Sequence, residues 1–268
     1  FKRSEHNERG GDAWRGQGGP LWVSSPSSGV PLYRAFIQAG QQAGYPVTRD
    51  FNGRQQEGVG PYHLTIKDGE RWSASFAYLR PIVDERPNLQ VISKARASQI
   101  LIENGRAVGV AYAAGPGKPV TKIYADREVI LAAGAVQSPQ ILMLSGIGPA
   151  QELAAHGIKT MVDAPDVGGN LQDHLDVCIN YDCTKPITAY SMTKGLKQPL
   201  VGLDYMLNKQ GAGRYNHLES GAFLKSRAEL DRPDIQLHFV NAVMQDHAKV
   251  AADRDGFTIH ACQLRPES

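Results

Sequence analysis

The sequence predicts an α/β arrangement in the middle of the chain and an α+β arrangement towards its end. Glu128–Ala133 is a largely apolar run that leads into Gly134 and a helical segment, the pattern of a strand buried on both faces of a sheet. Past Asp166, stretches typical of antiparallel strands surround one helical segment. The chain has 268 residues, of which 41% are hydrophobic and 21% charged, so it can form the core of one large domain or two smaller ones.

The first helix is predicted to begin at Pro31, because proline suits the first position of a helix. Gly44 and Pro46 follow the last helical position and are expected to end it. The apolar positions at helical spacing are Leu32, Phe36 and Ala39. Residues 50–70 are rich in glycine and turn-forming pairs, which predicts loops.

Strands are predicted from residue 88 onward, where β-branched residues and period-two alternation begin. Asn104 and Gly105 lie between two such stretches and indicate a hairpin, since this pair suits a tight two-residue turn. Helices are predicted over about Ser138–Leu144 and over Gln151–His156. The strands predicted in this part of the chain are Leu89–Ile92, Ser98–Ile102, Ala107–Tyr112, Thr121–Tyr124 and Glu128–Ala133.

The last part of the chain is predicted to form antiparallel strands with one helix between them. The helix is expected over Leu200–Leu207. The predicted strands are Val177–Tyr181, Ile235–Val240 and Thr258–Gln263.

The charge balance gives no sign of a nucleic-acid or anionic-membrane partner, because 29 basic and 27 acidic residues leave a net charge of only +2. The three cysteines are too few for a disulfide framework, which favours a reducing compartment, and we expect a cytoplasmic protein. No apolar run reaches the ~20 residues that cross a bilayer. No signal peptide is recognisable, and the sequence begins and ends abruptly. We therefore expect a fragment of a longer enzyme, whose association with a membrane stays open.

Several motifs with a defined chemistry are absent from the sequence, among them a phosphate loop, a serine-hydrolase elbow and a complete dinucleotide fingerprint. Gly115 and Gly117 begin such a fingerprint, but Val120 stands where its third glycine belongs. Cys178 and Cys183 have no matching pair, and no two histidines show metal-binding spacing on a helix. We therefore predict no metal site.

The most specific feature is the segment Gly134–Gly148, which closes the predicted strand and opens a helix. Small residues at such a turn let the polar chain of a ligand approach the backbone, and a helix N-terminus favours negative charge. A lone Ala-Gly-Ala is equally typical of a structural turn, but the whole segment resembles the second signature of the glucose–methanol–choline (GMC) oxidoreductase family. Further segments that resemble this family are Gly18–Leu21, Asp50–Gly53, Gln56–Gly58, Arg71–Ser73, Pro87–Val91, Val167–Leu175 and Leu264–Pro266.

The resemblance is nearest to choline dehydrogenases and aliphatic alcohol dehydrogenases. It implies an FAD enzyme that oxidises a primary alcohol to the aldehyde by hydride transfer to the flavin, with a quinone-like electron acceptor. It also implies a partial FAD-binding α/β region at residues 81–165 and a substrate domain at 1–80 and 166–268, built on a mainly antiparallel sheet backed by helices. The family's glycine-rich diphosphate motif and its catalytic histidine pair do not occur in residues 1–268. The chain by itself is therefore expected to bind FAD weakly and to be inactive.

Four residues are assigned to sites by the resemblance. The backbone of Ala97 is expected to contact the adenine, and Ala133 and Gly134 to pass near the ribose and diphosphate of FAD. Glu219 corresponds to a glutamate that faces the trimethylammonium group in choline-oxidising relatives. Relatives that act on neutral alcohols carry a similar glutamate, so a structural role for Glu219 also stays open.

His174 lies in a segment typical of the family and is expected to be structural rather than a proton carrier. Two other functions for the chain stay open. One is a non-catalytic interaction module that keeps the family fold, and the other is a different family activity on another alcohol.

Overall fold

The structure, a computed structural model, describes residues 2–245, 249–250 and 252–266. The chain divides into two compact units. The first, here called the sheet unit, comprises Phe1–Pro87 and His174–Arg265. The second, here called the hairpin unit, comprises Asn88–Asp173, with Pro266–Ser268. The division into family domains at residues 80 and 165 stays a prediction.

The sheet unit contains nine strands, three helices and two short helical turns among the residues described. Its strands are β1 (Glu5–Asn7), β2 (Leu21–Val23), β3 (Gly58–Pro61), β4 (Ile66–Lys67), β5 (Glu70–Arg71), β11 (Asp176–Asp182), β12 (Ser220–Leu224), β13 (Ile235–Val240) and β14 (Gly256–Gln263). Its helices are α1 (Pro31–Gln42), α4 (Ala189–Thr193) and α5 (Lys197–Asn208), with a π-helical turn at Ser75–Leu79 and a 3-10 turn at Ala212–Arg214. The hairpin unit contains β6 (Arg96–Glu103), β7 (Arg106–Ala113), β8 (Val120–Tyr124), α2 (Gly134–Leu144), β9 (Ile147–Gly148), α3 (Ala150–Ala155) and β10 (Val162–Asp163).

A five-stranded antiparallel sheet forms the centre of the sheet unit, in the order β11-β14-β13-β12-β3. Helix α1 packs on one face, where Val30 and Tyr33 form a buried cluster with Phe239 of β13. A second cluster on the sheet joins Val59, Ala222 and Leu224. The structure combines helices with a mainly antiparallel sheet, which confirms the predicted fold class. It also confirms the helix that begins at Pro31 and the three strands predicted after Asp166. Strands β3 and β12 were not predicted from the sequence, because both contain glycine, which is depleted in strands.

The hairpin unit is organised by a three-stranded antiparallel sheet in the order β6-β7-β8. The predicted hairpin is confirmed, since Asn104 and Gly105 take φ values of 50° and 75°, as a type I′ turn requires. Ser145 at the end of α2 is buried, accepts a hydrogen bond from the Ile100 amide at 2.8 Å, and thereby joins this helix to β6. The sheet and α2 therefore form one packed body.

Two strands predicted in the hairpin unit are wrong. Leu89–Ile92 and Glu128–Ala133 have no strand structure, and Ile130 is 80% exposed. An apolar run forms a strand only when neighbouring strands supply its hydrogen bonds, and no described strand pairs with either segment. The apolar pattern indicated two buried faces that the described residues do not provide.

Helix α2 begins four residues before the predicted Ser138, at Gly134. Gly134 has φ +88°, so this glycine makes the turn into the helix, and Pro139 is accommodated inside it. Helix α3 ends at Ala155, with Gly157 at φ +67° just beyond it, close to the predicted end. Of the helices in the described part of the chain, none has the length and apolar character needed to cross a membrane.

Candidate functional site

At the N-terminus of α2, a ligand can approach the protein backbone closely. Gly134 is exposed, and a Cβ atom added to it would meet no other atom within 4 Å. No side chain caps the start of this helix. The first amides of a helix have no intrahelical partner and carry partial positive charge, so they favour an anionic group.

Ala133 precedes this helix, and its amide donates a hydrogen bond to Ser138 Oγ at 3.1 Å. That amide is therefore satisfied within the protein, and any ligand contact falls to the amides that follow it. Ala135 and Val136 of the first turn line a recess of about 810 Å³, which Leu153 and Leu171 close from the other side. The predicted residues Ala133 and Gly134 thus directly precede two residues that line a large, mainly apolar recess.

Ala97 lies on β6, opposite Tyr112, and is exposed. Strand β6 is an edge of its three-stranded sheet, so one side of its backbone has no strand partner among the described residues. Ala97 lines a separate recess of about 360 Å³ together with Tyr112 and Val129. The structure therefore places Ala97 and the Ala133–Gly134 turn in one unit, and the recess at Ala97 is not the one that Ala135 and Val136 line.

These residues fit a dinucleotide such as FAD on three counts. The turn at Gly134 has open space where a side chain would intrude, the α2 N-terminus can receive negative charge, and an unpaired strand edge at Ala97 can bond a planar base. Each is a backbone feature, which explains why small residues occupy these positions.

Glu219 belongs to the sheet unit and is only 3% exposed. Its Oε2 accepts a hydrogen bond from the Ser28 amide at 3.2 Å and another from the Ser28 hydroxyl, while the Ser27 amide lies 3.4 Å from Oε1. The carboxylate also lines a recess of about 590 Å³ together with Tyr33 and Pro61. Glu219 is thus anchored on one side and borders open space on the other.

The groups around Glu219 have shifted pKa values. Burial, and then the charge of Glu219, raises the pKa of the Tyr33 hydroxyl far above its ordinary value. Burial lowers the pKa of His217, and Glu219 only partly opposes this effect. Tyr33 and His217 are therefore neutral near pH 7.

His174 is exposed, and its Nδ1 donates a hydrogen bond to the Gln263 carbonyl oxygen at 2.6 Å. This contact holds the ring against the end of β14. The structural role expected for His174 agrees with that position but stays a prediction.

The sheet face opposite α1 carries a group of polar side chains whose proximity was not predicted from the sequence. Asp176 and Cys178 on β11 lie across from Cys262 and His260 on β14. The contacting residues are separated by 82 and 84 positions in the sequence, so no local spacing could reveal the group. The signal that could have found it is period-two placement, of His260 with Cys262 on one predicted strand and of Cys178 with Asp176, which directly precedes another.

Comparisons with known proteins agree on one family. The family model described as GMC oxidoreductase matches residues 1–176. The oxygen-dependent choline dehydrogenase of Brucella ovis is 47% identical over the whole chain, which covers 48% of that protein. The human mitochondrial choline dehydrogenase is 43% identical over the whole chain, which covers 45% of it.

A solved structure points the same way. Pyridoxine 4-oxidase from Mesorbium loti superposes with a TM-score of 0.80 at 31% identity, over 100% of this chain and 48% of its own. The chain thus spans about half the length of the relatives it matches. The chain belongs to the GMC oxidoreductase family.

Proposed function

We propose that this chain is part of an FAD-dependent oxidoreductase that oxidises the alcohol group of choline to the aldehyde. The observation that carries the proposal is Glu219, a buried carboxylate that borders a recess and is held in place by Ser27 and Ser28. Two choline dehydrogenases among the relatives support it. An electron acceptor of the quinone class is part of the same proposal.

A quaternary ammonium group suits this recess for a physical reason. It donates no classical hydrogen bond, so proteins recognise it by charge and by the faces of aromatic rings. Burying a carboxylate costs desolvation energy, and a nearby opposite charge offsets this cost. Glu219, fixed by hydrogen bonds before the substrate arrives, supplies that charge without reorganisation, and Tyr33 lies beside it.

FAD is the cofactor that the proposal requires, and in bound form it supplies a flavin ring that accepts a hydride. We assign the adenine to the backbone at Ala97, and the ribose and diphosphate to the turn at Ala133 and Gly134. The open space at Gly134 and the uncapped start of α2 support this assignment. The role of these residues is to bind and orient, since none of them can transfer a proton.

Replacing Gly134 with valine is expected to weaken FAD binding at least about tenfold, or ~1.4 kcal/mol. The side chain would fill the space left for the cofactor and strain a backbone at φ +88°. Flavin fluorescence titration of the purified protein measures the affinity. Gly157→Val is the matched control, because Gly157 has φ +67° and equally open surroundings but lies at the end of α3. Equal loss of FAD affinity in both variants would refute the assignment.

The substrate proposal is tested with choline and its neutral isostere, in which carbon replaces the quaternary nitrogen. Dye-linked oxidation by the full-length protein that contains this chain is expected to give a kcat/KM for choline at least about tenfold higher, since a desolvated charge pair contributes ~1.4 kcal/mol or more. Equal values, or a preference for straight-chain alcohols, would instead support the aliphatic alcohol dehydrogenase alternative.

A further inference from the structure

The polar face of the five-stranded sheet gathers three side chains of the types that bind transition metals. Asp176 and Cys178 lie two residues apart on β11, so their side chains point to the same face. His260 on β14 lies directly opposite Cys178. The proposed function uses none of them. We infer that Asp176, Cys178 and His260 form a binding site for a divalent transition-metal ion of the zinc type.

The distances within this group suit a common metal ligand geometry. His260 Nδ1 lies 2.7 Å from Asp176 Oδ2 and 3.2 Å from Cys178 Sγ, and the sulfur lies 3.7 Å from Asp176 Oδ2. Tetrahedral Zn²⁺ with bonds of about 2.0–2.3 Å holds its ligand atoms about 3.4–3.6 Å apart. The three separations bracket that value. The contact between the imidazole and the carboxylate is the shortest of the three and would have to lengthen when an ion binds.

The same contacts argue against a nucleophilic thiol. In a cysteine–histidine–acid arrangement the thiol and the acid bind opposite nitrogens of the imidazole, so that a proton can pass through the ring. Here Cys178 Sγ and Asp176 Oδ2 both approach Nδ1. Three ligand atoms that converge on one point form a coordination site rather than a relay.

A second thiol lies within reach of the group. Cys262 is the strand partner of Asp176, and its Sγ lies 3.2 Å from Asp176 Oδ1. The fourth position of a tetrahedral ion would fall to this thiol or to water. One or two sulfur ligands beside a nitrogen and a carboxylate favour Zn²⁺ over Mg²⁺ or Ca²⁺, which prefer oxygen ligands alone.

The site is open to an incoming ion. Asp176 and Cys178 are exposed, and His260 is half-buried on a rigid strand pair. Metal binding here would revise the sequence-based expectation that the chain holds no metal, because that expectation considered only local spacing.

The test adds Co²⁺ to purified protein that has first been treated with a chelator. The wild type is expected to bind one ion and to show a thiolate-to-cobalt charge-transfer band, with tetrahedral d–d bands, that Zn²⁺ then abolishes. Absorption of bound flavin is removed by subtracting the spectrum of the Zn²⁺-loaded sample. Absence of the charge-transfer band in the wild type overturns the proposal without recourse to any variant.

Two variants, compared with one control, identify the ligands. Cys178→Ser and His260→Asn are each expected to lower the affinity for Co²⁺ at least about 10–100-fold, the loss that even outer-sphere changes cause at metal sites. Cys183→Ser is the matched control, because Cys183 lies just past the end of β11 and outside the group. Unchanged affinity in His260→Asn, or the same loss in Cys183→Ser, overturns the assignment. Circular dichroism of each variant shows whether a loss reflects unfolding, in which case Asp176→Asn replaces the affected variant.

Discussion

Replacing Arg15 with methionine is expected to lower the free energy of unfolding by about 3–5 kcal/mol, because it leaves buried carboxylates without their counter-charge. The Arg15 side chain is only 3% exposed. Its guanidinium contacts Glu5 Oε1 at 2.9 Å and Asp50 Oδ2 at 2.7 Å. Glu5 is itself only 4% exposed in its side chain, so water cannot replace the lost partner.

Chemical denaturation of the purified protein measures this effect, and Arg9→Met is its matched control. Arg9 also contacts Asp50, at 3.4 Å, but its side chain is 47% exposed. Exposed ion pairs contribute ~0–1 kcal/mol, so this control is expected to change stability little. Adding Glu5→Gln to Arg15→Met is expected to restore part of the loss. Equal stability of the Arg9 and Arg15 variants would contradict the buried network.

The same network gives stability a pH dependence. Burial raises the pKa of Asp50, but hydrogen bonds from Arg15 and Asn52 outweigh this effect and hold it below the ordinary value of 3.8. A carboxyl whose pKa is lower in the folded state stabilises the fold above its unfolded pKa. That contribution is lost as the pH falls through the folded pKa. In Arg15→Met the acid limb of the stability curve should therefore flatten.

In the full-length protein that contains this chain, replacing Glu219 with glutamine is expected to raise the KM for choline roughly ten- to a hundredfold. This range follows from a loss of ~1–3 kcal/mol, at ~1.4 kcal/mol for each tenfold change. Butanol oxidation should change little, because a neutral alcohol does not depend on the charge. The amide is nearly isosteric with the carboxylate, and it keeps one oxygen to accept the hydrogen bonds from Ser28.

Kinetics on both substrates separate the two roles open to Glu219. Glu57→Gln serves as the control, since Glu57 is a half-buried partner of Lys225 at 3.1 Å and lies apart from the Glu219 recess. Thermal unfolding of Glu219→Gln reports how much the loop at Ser27 and Ser28 depends on the charge. If choline and butanol oxidation fall equally, Glu219 is structural and the choline assignment fails.

Local sequence signals predicted the local structure of this chain well. Asn104-Gly105 determines a turn by itself, because both residues accept a positive φ, and Pro31 marks a helix start for a similarly local reason. Leu89–Ile92 and Glu128–Ala133 were wrong because a strand depends on partners elsewhere in the chain, and an apolar run does not show whether those partners exist.

The candidate sites divide in the same way. Gly134 could be singled out as a candidate because a glycine that opens a helix is a local pattern. The surroundings of Glu219 could not, since Ser28 lies 191 residues away in the sequence. The contact between Asp176 and His260 joins positions 84 residues apart and depends on the pairing register of two strands. Sequence patterns identify such residues singly, and only the register shows which of them meet.

Anaerobic reduction of the bound flavin by choline, in the full-length wild-type protein that contains this chain, is the direct test of the proposed function. We expect the absorbance of oxidised flavin to be lost on mixing, at a rate that saturates with choline concentration and exceeds the rate with the neutral isostere. Flavin that stays oxidised in the presence of saturating choline, in protein that has bound FAD, would contradict the proposed function.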